Sequence, residues 1–302
     1  MPKSRKNRRA LNKNRKNGKQ KVCLTGVNCA GLTSKMESFK NLIIKARPCV
    51  FFLQETKFRN EGKLRHLKEY QIYELIRKNK QCGGLAIGAL EELEPAFISE
   101  GDDNTEILVI EINLGIKIRC VNGYGPQEND LNSKKEKFWE RIGLEAEEAL
   151  KDGKGFIVQM DGNLHCGQEM IPGDPNPINS NGKHLKQFLE KYPHLNIVNS
   201  TTLCVGTITR KRVTKDRVEE AILDLFICCD KIMSLITKMV VNEDQKLARF
   251  TKDRVIESDH CPVELYLDLK HPNKKKERIE IYDYKMLSLK RFLDKNPHKH
   301  NP

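Results

Sequence analysis

The stretch Phe156-Ile157-Val158-Gln159-Met160-Asp161-Gly162-Asn163 contains both features on which the fold prediction depends. Its first five residues form a short, mainly apolar run, which predicts a buried strand. A carboxylate and an amide follow at once, just past the end of that strand. Apolar runs of this kind alternate with helical patterns along the chain, and this alternation predicts a single α/β unit.

The spacing of apolar residues predicts short strands and three helices in the rest of the chain. An apolar run of about five residues predicts a strand, and apolar residues recurring every three to four positions predict a helix. Strands are predicted at 22–27, 49–53, 83–89, 106–112, 116–121, 156–160, 195–199, 221–228, 238–242 and 262–268, helices at 35–46, 131–151 and 183–192, and irregular chain at 56–80 and 171–182.

Polar residues stand at or just past the ends of five of these strands. They are Asn28, Gln54-Glu55, Tyr124, Asp161-Gly162-Asn163 and Ser258-Asp259-His260. Any one of them has a structural explanation, because Asn and Asp after a strand are common turn residues. His260 alone can likewise be a loop histidine without a chemical role.

Taken together, these residues indicate a functional site. A hard divalent cation prefers carboxylate and amide oxygens. The residues that carry such oxygens are Glu55, Asp161, Asn163 and Asp259. Asp224 stands inside an apolar run, where an unpaired charge is costly, so it needs a partner. A structural hydrogen bond or an imidazole can fill that need.

Several classes of enzyme are excluded by the motifs. The chain has no HExxH, CxxC or GxSxG element, and no Walker loop or GxGxxG after a strand. Zinc hydrolase, thiol and nucleotide-binding functions therefore have little support. Ten cysteines, mostly in apolar runs, indicate a reducing, intracellular setting rather than a disulfide framework. Secretion and membrane spanning are not expected, because the N-terminus lacks an apolar segment.

The net charge of +13 is concentrated in two tails. Residues 1–21 hold ten Lys or Arg and no acid, and residues 270–302 hold ten against four acids. Removing these +10 and +6 contributions leaves residues 22–269 at about −3. We therefore expect a catalytic domain over 22–269, a basic tail over 1–21 and a basic tail or linker over 270–302. Basic tails attract polyanions without reading sequence, and a localisation signal is the alternative.

Six motifs occur in the order and spacing of the endonuclease/exonuclease/phosphatase superfamily, and the chain resembles that superfamily over about residues 22–268. The motifs are Val27-Asn28-Cys29-Ala30-Gly31-Leu32, Leu53-Gln54-Glu55-Thr56-Lys57, Gly123-Tyr124-Gly125-Pro126, Met160-Asp161-Gly162-Asn163, Ile222-Leu223-Asp224-Leu225 and Ser258-Asp259-His260-Cys261-Pro262. Within the superfamily the chain resembles the apurinic-like endonuclease domain of non-LTR (LINE-type) retrotransposons. The residues that carry this closer likeness are the Asn-Cys-x-Gly-Leu opening, His165 after Asp-x-Asn, and the stretches 206–210 and 278–292.

The resemblance implies a four-layered α/β sandwich of the deoxyribonuclease I-like type. In that fold two mixed sheets face each other, helices cover them outside, and the active site lies at one end.

The resemblance also implies a role for each residue of the site. Mg²⁺, for which Mn²⁺ can substitute, is bound by Glu55 with support from Asn28 and Asp259. Asp161 with Asn163 aligns and deprotonates the attacking water, while His260, oriented by Asp224, and Tyr124 hold the phosphate. The expected phosphate or DNA contacts are Ser258, Arg210, Arg212 and either Thr207 or Thr209, with His165 as an accessory residue.

The implied function is Mg²⁺-dependent nicking of double-stranded DNA that leaves 3′-OH and 5′-phosphate ends. In such elements a reverse transcriptase domain follows the nuclease, so a chain that stops at Pro302 is expected to be an excised domain, a truncated copy or a free-standing relative. The implied location is the nucleus, and the basic tails are candidates for binding RNA.

Three alternatives stay open from the sequence. The first is a phosphatase of the same superfamily acting on inositol phosphates or nucleotides. The second is an inactive nucleic-acid-binding module, which predicts a missing catalytic residue. The third is an abasic-site repair endonuclease. Ala30 argues against it, because repair members carry an acidic residue there. Gly162 also departs from the bulkier residue that is usual between Asp161 and Asn163.

Overall fold

The computed structural model describes residues 22–77, 83–102, 105–251 and 253–268. Both predicted basic tails lie outside these residues. In chain order the strands are β1 (Val22–Asn28), β2 (Val50–Gln54), β3 (Tyr70–Leu75), β4 (Leu85–Leu90), β5 (Ala96–Glu100), β6 (Glu106–Asn113), β7 (Lys117–Tyr124), β8 (Gly155–Asp161), β9 (Leu195–Ile197), β10 (Cys204–Val205), β11 (Arg210–Val213), β12 (Val218–Ala221), β13 (Asp224–Cys229), β14 (Ile236–Val241), β15 (Ala248–Phe250), β16 (Val255–Glu257) and β17 (Val263–Leu267). The α-helices are α1 (Met36–Ala46), α2 (Asn132–Lys151), α3 (Ser180–Lys191) and the short α4 (Asp230–Met233).

Two mixed sheets form the centre of the fold, which confirms the predicted α/β sandwich. One has seven strands in the order β10-β14-β17-β1-β2-β4-β3, and the other has six in the order β5-β6-β7-β8-β13-β9. Pairs β1–β2 and β7–β8 are parallel, and their other neighbours in each sheet are antiparallel. The sheets pack face to face through β2 and β4 on one side and β7 and β8 on the other.

The continuous apolar character of β2 follows from its position between two packed layers. Val50 and Phe52 point into the core between the sheets, whereas Phe51 and Leu53 point to the other face and pack with α1. A strand that is covered on both faces needs apolar residues at every position rather than at alternate ones.

Helices α1 and α2 begin and end close to the predicted positions. In α1 the buried residues Phe39, Leu42 and Ile43 recur at helical spacing, and Arg47 ends the helix in the left-handed conformation directly before Pro48. In α2 the apolar face contacts α3, β7 and β8. No helix in the described part of the chain is long and apolar enough to cross a membrane.

Several elements differ from the prediction. Strand β3 lies within the stretch predicted to be irregular, because its residues are half-buried at a sheet edge and show no clean alternation. The predicted strand 221–228 is two strands, since the chain leaves β12 at Ala221 and enters the second sheet at Asp224. Helix α3 begins three residues early because the Asn179 side chain caps it by accepting from the Gly182 N–H.

A buried polar network joins the two sheets directly behind the strand ends. Gln54 Nε2 donates to Asn122 Oδ1 and to Gln159 Oε1, both at 2.5 Å. Asn122 Nδ2 in turn donates to the carbonyls of Leu53 and Ala86, each at 3.0 Å. All three network side chains are fully buried, so each bond left unmade is costly. The network therefore fixes the register of β2 against β7 and β8.

We predict that Asn122→Ala lowers the free energy of unfolding by roughly 2–4 kcal/mol, because it leaves two buried carbonyls and the Gln54 amide without their partner. Urea denaturation monitored by circular dichroism measures the change. The matched control is Asn41→Ala on the exposed face of α1, with an expected change within about 0.5 kcal/mol. Equal stability of both variants would contradict the assigned role of the network.

Candidate active site

The residues predicted to be functional converge because of strand register. Tyr124, the last residue of β7, lies opposite Asp161, the last residue of β8, in the parallel pair. Asp161 in turn lies opposite Asp224, the first residue of β13, in the antiparallel pair. Asn28 ends β1, and Glu55 follows β2 beside it. The strand ends therefore bring these side chains to one end of the sandwich.

An ion pair between Asp224 and His260 lies at the centre of the site. His260 Nδ1 is 2.9 Å from Asp224 Oδ2, and Asp224 has no exposed surface. The other ring nitrogen, Nε2, lies 4.0 Å from Asp161 Oδ2. Asp224 thus fixes the orientation of the ring, and the ring presents its second N–H toward the Asp161 carboxylate.

Asn28 connects two carboxylates of the site. Its Nδ2 donates to Asp161 Oδ2 at 2.6 Å and to Glu55 Oε1 at 3.3 Å. Its Oδ1 accepts the backbone N–H of Ala30 at 2.8 Å. Asn28 therefore holds the two acids together. Its expected support of the metal stays a prediction, because an amide oxygen that accepts one hydrogen bond keeps a second lone pair.

Glu55 lies in a strained turn that aims its carboxylate at the site. Its φ angle is +46° and that of Lys57 is +53°, both in the left-handed region that side chains rarely adopt. Hydrogen bonds hold this turn between two loops, from Gly31 N–H to the Glu55 carbonyl and from Thr56 N–H to the Gly84 carbonyl. The turn brings Lys57 Nζ to 2.8 Å from Glu55 Oε2, while Tyr124 OH donates to Glu55 Oε1 at 2.8 Å.

The loop that contains Asn163 is held by Asn181, a residue that the sequence does not identify as functional. Asn163 has φ +47°, its N–H donates to Asp161 Oδ1 at 3.0 Å, and its Nδ2 donates to the Gly125 carbonyl at 2.8 Å. Asn181 is buried at the start of α3, and its Nδ2 donates to the carbonyls of Asn163 and Pro126 at 2.7 and 2.6 Å. Asn181 stands in a loop rich in Pro, Gly and Asn, where nothing in the sequence distinguishes it from an ordinary turn residue.

The pKa values of both central groups, Asp161 and His260, lie above their ordinary values. Burial, aided by the charge of Asp224, raises the pKa of Asp161 to about 6. Burial lowers the pKa of His260, but the Asp224 charge and hydrogen bond outweigh it and raise that pKa to about 9. Between these values Asp161 is an ionised base and His260 is a cation. Burial also raises the pKa of Glu55, but the Lys57 and Tyr124 hydrogen bonds leave it lowered.

The structure distinguishes Thr207 from Thr209, the two candidate phosphate contacts between which the sequence does not decide. Thr209 is fully buried, and its Oγ1 accepts the backbone N–H groups of Leu223 and Asp224 at 2.9 and 3.0 Å. It fixes the start of β13 and is not placed to touch a substrate. Thr207 is exposed and lies against Gly173.

The other predicted DNA contacts lie in different environments. Ser258 is buried, and its Oγ accepts the His260 backbone N–H at 3.4 Å in the turn before the histidine, while its expected contact with DNA stays a prediction. Arg210 Nε binds Asp259 Oδ2 at 2.9 Å, while Arg212 is exposed. His165 is half-buried and tied to the Asn179 side chain through its backbone N–H.

The donor atoms of the site fit a hard divalent cation. Glu55, Asp161 and Asp259 offer carboxylate oxygens, which are the ligands that Mg²⁺ takes. Another candidate group, Asp161, Asp224 and His260, has ligand atoms within 4.8 Å of one another. Its imidazole is bound to Asp224 and carries a proton at neutral pH, so it is not available as a ligand. The oxygen set is therefore the better fit by donor chemistry, whereas within the described residues Asp161, Asp224 and His260 form the one group with ligand atoms this close together.

Comparisons with solved structures decide the fold. The chain superposes on the endonuclease domain of TRAS1, a telomere-specific non-LTR retrotransposon, with a TM-score of 0.60 and 15% identity, covering 82% of this chain and 99% of that one. For the 3′-5′ exonuclease NExo from Neisseria meningitidis the TM-score is 0.63 at 15% identity, with 82% and 100% covered. For an AP endonuclease from Leishmania major it is 0.61 at 14% identity, with 84% and 89% covered. This chain has the endonuclease/exonuclease/phosphatase fold.

The endonuclease/exonuclease/phosphatase fold was expected from six short motifs, and the likeness in structure covers most of the chain although few residues are identical. A scan against models of protein families finds no match, and neither does a search of curated proteins. Similarity at this level of identity establishes the fold alone. The activity has to be argued from the site itself.

We predict that His260 in the metal-free protein titrates near pH 9 and that Asp224→Asn lowers its pKa by more than about one unit, because burial then dominates. Nuclear magnetic resonance of the ring protons measures both values. The pair stabilises the fold fully below pH 6.5, the ordinary histidine pKa, and loses that contribution as the pH rises through about 9. The loss of stability caused by Asp224→Asn should therefore shrink over that interval, and a pH-independent loss would contradict the ion pair.

Proposed function

We propose that this chain is a Mg²⁺-dependent endonuclease that nicks one strand of double-stranded DNA and leaves 3′-OH and 5′-phosphate ends. One observation carries the proposal: a cationic His260, held by Asp224, faces the Asp161 carboxylate across 4.0 Å. A base and a cation at that spacing suit attack of water on a phosphodiester.

The proposed reaction balances with Asp161 as the base and with solvent as the source of the proton on the leaving group. Asp161 accepts a proton from the attacking water as the water oxygen bonds to phosphorus, and a pKa near 6 makes it a stronger base than an ordinary aspartate. The bond between phosphorus and O3′ breaks, O3′ takes a proton from solvent water and leaves as the 3′-hydroxyl, and Asp161 then returns its own proton to solvent. His260 and Tyr124 donate hydrogen bonds to the phosphate oxygens on which negative charge develops.

Glu55 would hold the cation, with Asp259 as a further carboxylate of the same end of the sandwich. When bound, Mg²⁺ supplies a positive charge that neutralises the phosphate and the leaving oxygen. Lys57 lies on Glu55 Oε2 in the metal-free protein, so this ammonium group has to move when the carboxylate takes a cation.

DNA is the proposed substrate on three grounds. The endonuclease domain of a retrotransposon, a 3′-5′ exonuclease and an AP endonuclease share the fold over most of this chain. Thr207, Arg210 and Arg212 provide a hydroxyl and cations for phosphates near the site. Ala30 replaces the acidic residue of repair members, which favours cutting of intact DNA. We accordingly propose the target-nicking role of a non-LTR retrotransposon, in the nucleus, with a reverse transcriptase domain in the parent polyprotein and RNA as a ligand of the basic tails.

We predict that the full chain relaxes supercoiled plasmid in the presence of Mg²⁺ and that Asp161→Asn slows nicking by about 10²–10⁴-fold, because the base is lost. Gel electrophoresis follows the nicked form, and ligation of the product tests the end chemistry. EDTA should abolish the reaction. The matched control is Asp152→Asn, an exposed aspartate just before the opposite end of β8, which should keep the wild-type rate.

Three results would contradict this proposal. The first is intact plasmid together with release of phosphate from an inositol phosphate, which would make the protein a phosphatase. The second is a rate at an abasic site far above the rate at intact DNA, which would make it a repair enzyme. Binding without cleavage that is unchanged in His260→Ala would support an inactive module.

We predict a bell-shaped pH dependence of kcat/KM for nicking. Activity should rise as Asp161 loses its proton around pH 6 and fall as His260 loses its proton around pH 9. Initial rates in matched-ionic-strength buffers measure both limbs. In His260→Gln the falling limb should disappear along with most of the activity, whereas a persistent limb near pH 9 would assign it to another group.

A further inference from the structure

Two stretches of the chain outside the catalytic residues have almost the same sequence. Residues 212–220 read Arg-Val-Thr-Lys-Asp-Arg-Val-Glu-Glu, and residues 249–257 read Arg-Phe-Thr-Lys-Asp-Arg-Val-Ile-Glu. They are identical at seven of nine positions and lie 37 residues apart. The first contributes the tip of the β11–β12 hairpin and the second that of the β15–β16 hairpin.

The two tips also have the same hydrogen bonds. In the first, Thr214 N–H donates to the Arg217 carbonyl at 2.9 Å, and Thr214 Oγ1 accepts the Arg217 N–H at 3.2 Å. In the second, the corresponding bonds between Thr251 and Arg254 are 3.0 and 3.1 Å. Each threonine hydroxyl also donates to the arginine carbonyl, at 3.0 and 2.8 Å. The chain therefore builds the same tip twice.

Both hairpins are attached to the segment that carries the site histidine. Lys211 N–H in β11 donates to the Asp259 carbonyl at 2.8 Å, and Arg210 forms an isolated bridge with His260. On the other side, β16 ends at Glu257, and Ser258 N–H donates to the carbonyl of Leu247 at 2.6 Å, just before β15. The two hairpins thus share a base at residues 258–261.

They leave that base toward different layers of the sandwich. The first hairpin contacts the loop after β8, where Asn176 Nδ2 donates to the Glu220 carbonyl at 2.8 Å. The second contacts the start of α1, where Ser38 Oγ accepts the Ala248 N–H at 3.0 Å. One tip is therefore mounted on the side of the second sheet and the other on the side of the first.

The turn explains only part of the repeated sequence. Its hydrogen bonds use the threonine side chain and the arginine backbone, so they do not require the lysine and arginine side chains. Each tip also exposes an apolar cross-strand pair. Val213 and Val218 are 71% and 55% exposed, and Phe250 and Val255 are 40% and 47% exposed. Arginines and an aspartate (Asp216, Asp253) accompany each pair, and Arg217 binds Glu219 at 2.5 Å. An exposed apolar pair that is repeated in this way indicates a binding surface.

We propose that the two tips are twin contacts with duplex DNA on either side of the site, each placing two exposed arginines (Arg212 and Arg217, Arg249 and Arg254) on the backbone and an apolar pair in a groove. This inference rests on the proposed function and extends it. A two-stranded ribbon fits a DNA groove, cations bind phosphates, and apolar side chains contact sugars and base edges. The shared base links both contacts to the loop of His260.

The test compares the two tips in the full chain. Binding of a fluorescent duplex of about 30 base pairs, roughly three helical turns, is measured by anisotropy in EDTA at several salt concentrations. One variant combines Arg212→Gln and Arg217→Gln, and the other combines Arg249→Gln and Arg254→Gln. Each should reduce the slope of log K against log salt by about 1.8, and all four changes together by about 3.6, because each phosphate contact contributes about 0.9.

The matched control is Lys45→Gln with Arg47→Gln at the opposite end of the sandwich, which removes two exposed cations as well. It should change the slope by less than about 0.5. Phe250→Ser should weaken binding about fivefold without a change of slope, because an apolar contact releases no counterions.

An unchanged slope in the Arg249 and Arg254 variant would overturn the proposal, since only the first hairpin would then contact DNA. If neither tip variant changes the slope more than the control does, the proposal is wrong for both tips. An acidic protein would then be the better partner. Plasmid nicking measured in parallel separates the two proposals. Nicking with unchanged slopes refutes only the twin contacts, and reduced slopes without any wild-type nicking refute only the nuclease.

Discussion

The site depends on the burial of one charge. Asp224 has no exposed surface, and an unpaired carboxylate in that position would cost several kcal/mol or lose its charge. The chain meets this demand with His260 at 2.9 Å and with Thr209, whose hydroxyl fixes the backbone where β13 begins. The imidazole belongs to the segment before β17, a strand of the seven-stranded sheet, and Asp224 is the first residue of β13 in the six-stranded sheet. This one pair therefore joins the two sheets.

Such a pair functions only if the two sheets keep their register. The network of Gln54, Asn122 and Gln159 lies just behind the strand ends and joins the sheets where Glu55 and Asp161 emerge. Past those ends the backbone is strained, with positive φ angles at Glu55 and Asn163. Hydrogen bonds from both neighbouring loops offset that strain, so the carboxylates are held in place before any substrate arrives.

Much of the site could be predicted from the sequence because strand ends are visible as apolar runs that stop at a polar residue. What could not be predicted depends on three-dimensional packing. Thr207 and Thr209 look alike in sequence, and only burial separates them. Asn181 resembles any turn residue until its amide is seen between two loops. Strand β3 lies half-buried at a sheet edge, where the alternation that reveals a strand is weak, and the repeated hairpins contain too few apolar residues to register as strands.

The distribution of cations among the site carboxylates explains why Asp161 suits the proposed role of base. Glu55 has Lys57 at 2.8 Å, Asp259 has Arg210 at 2.9 Å and Asp224 has His260 at 2.9 Å. Asp161 lies 4.0 Å from the same imidazole, which Asp224 already orients, and its closer partners are uncharged N–H groups. Each opposite charge at contact distance favours ionisation, whereas burial opposes it. Asp161 is therefore the acid with the raised pKa, the property that a group must have to take a proton from water near neutral pH.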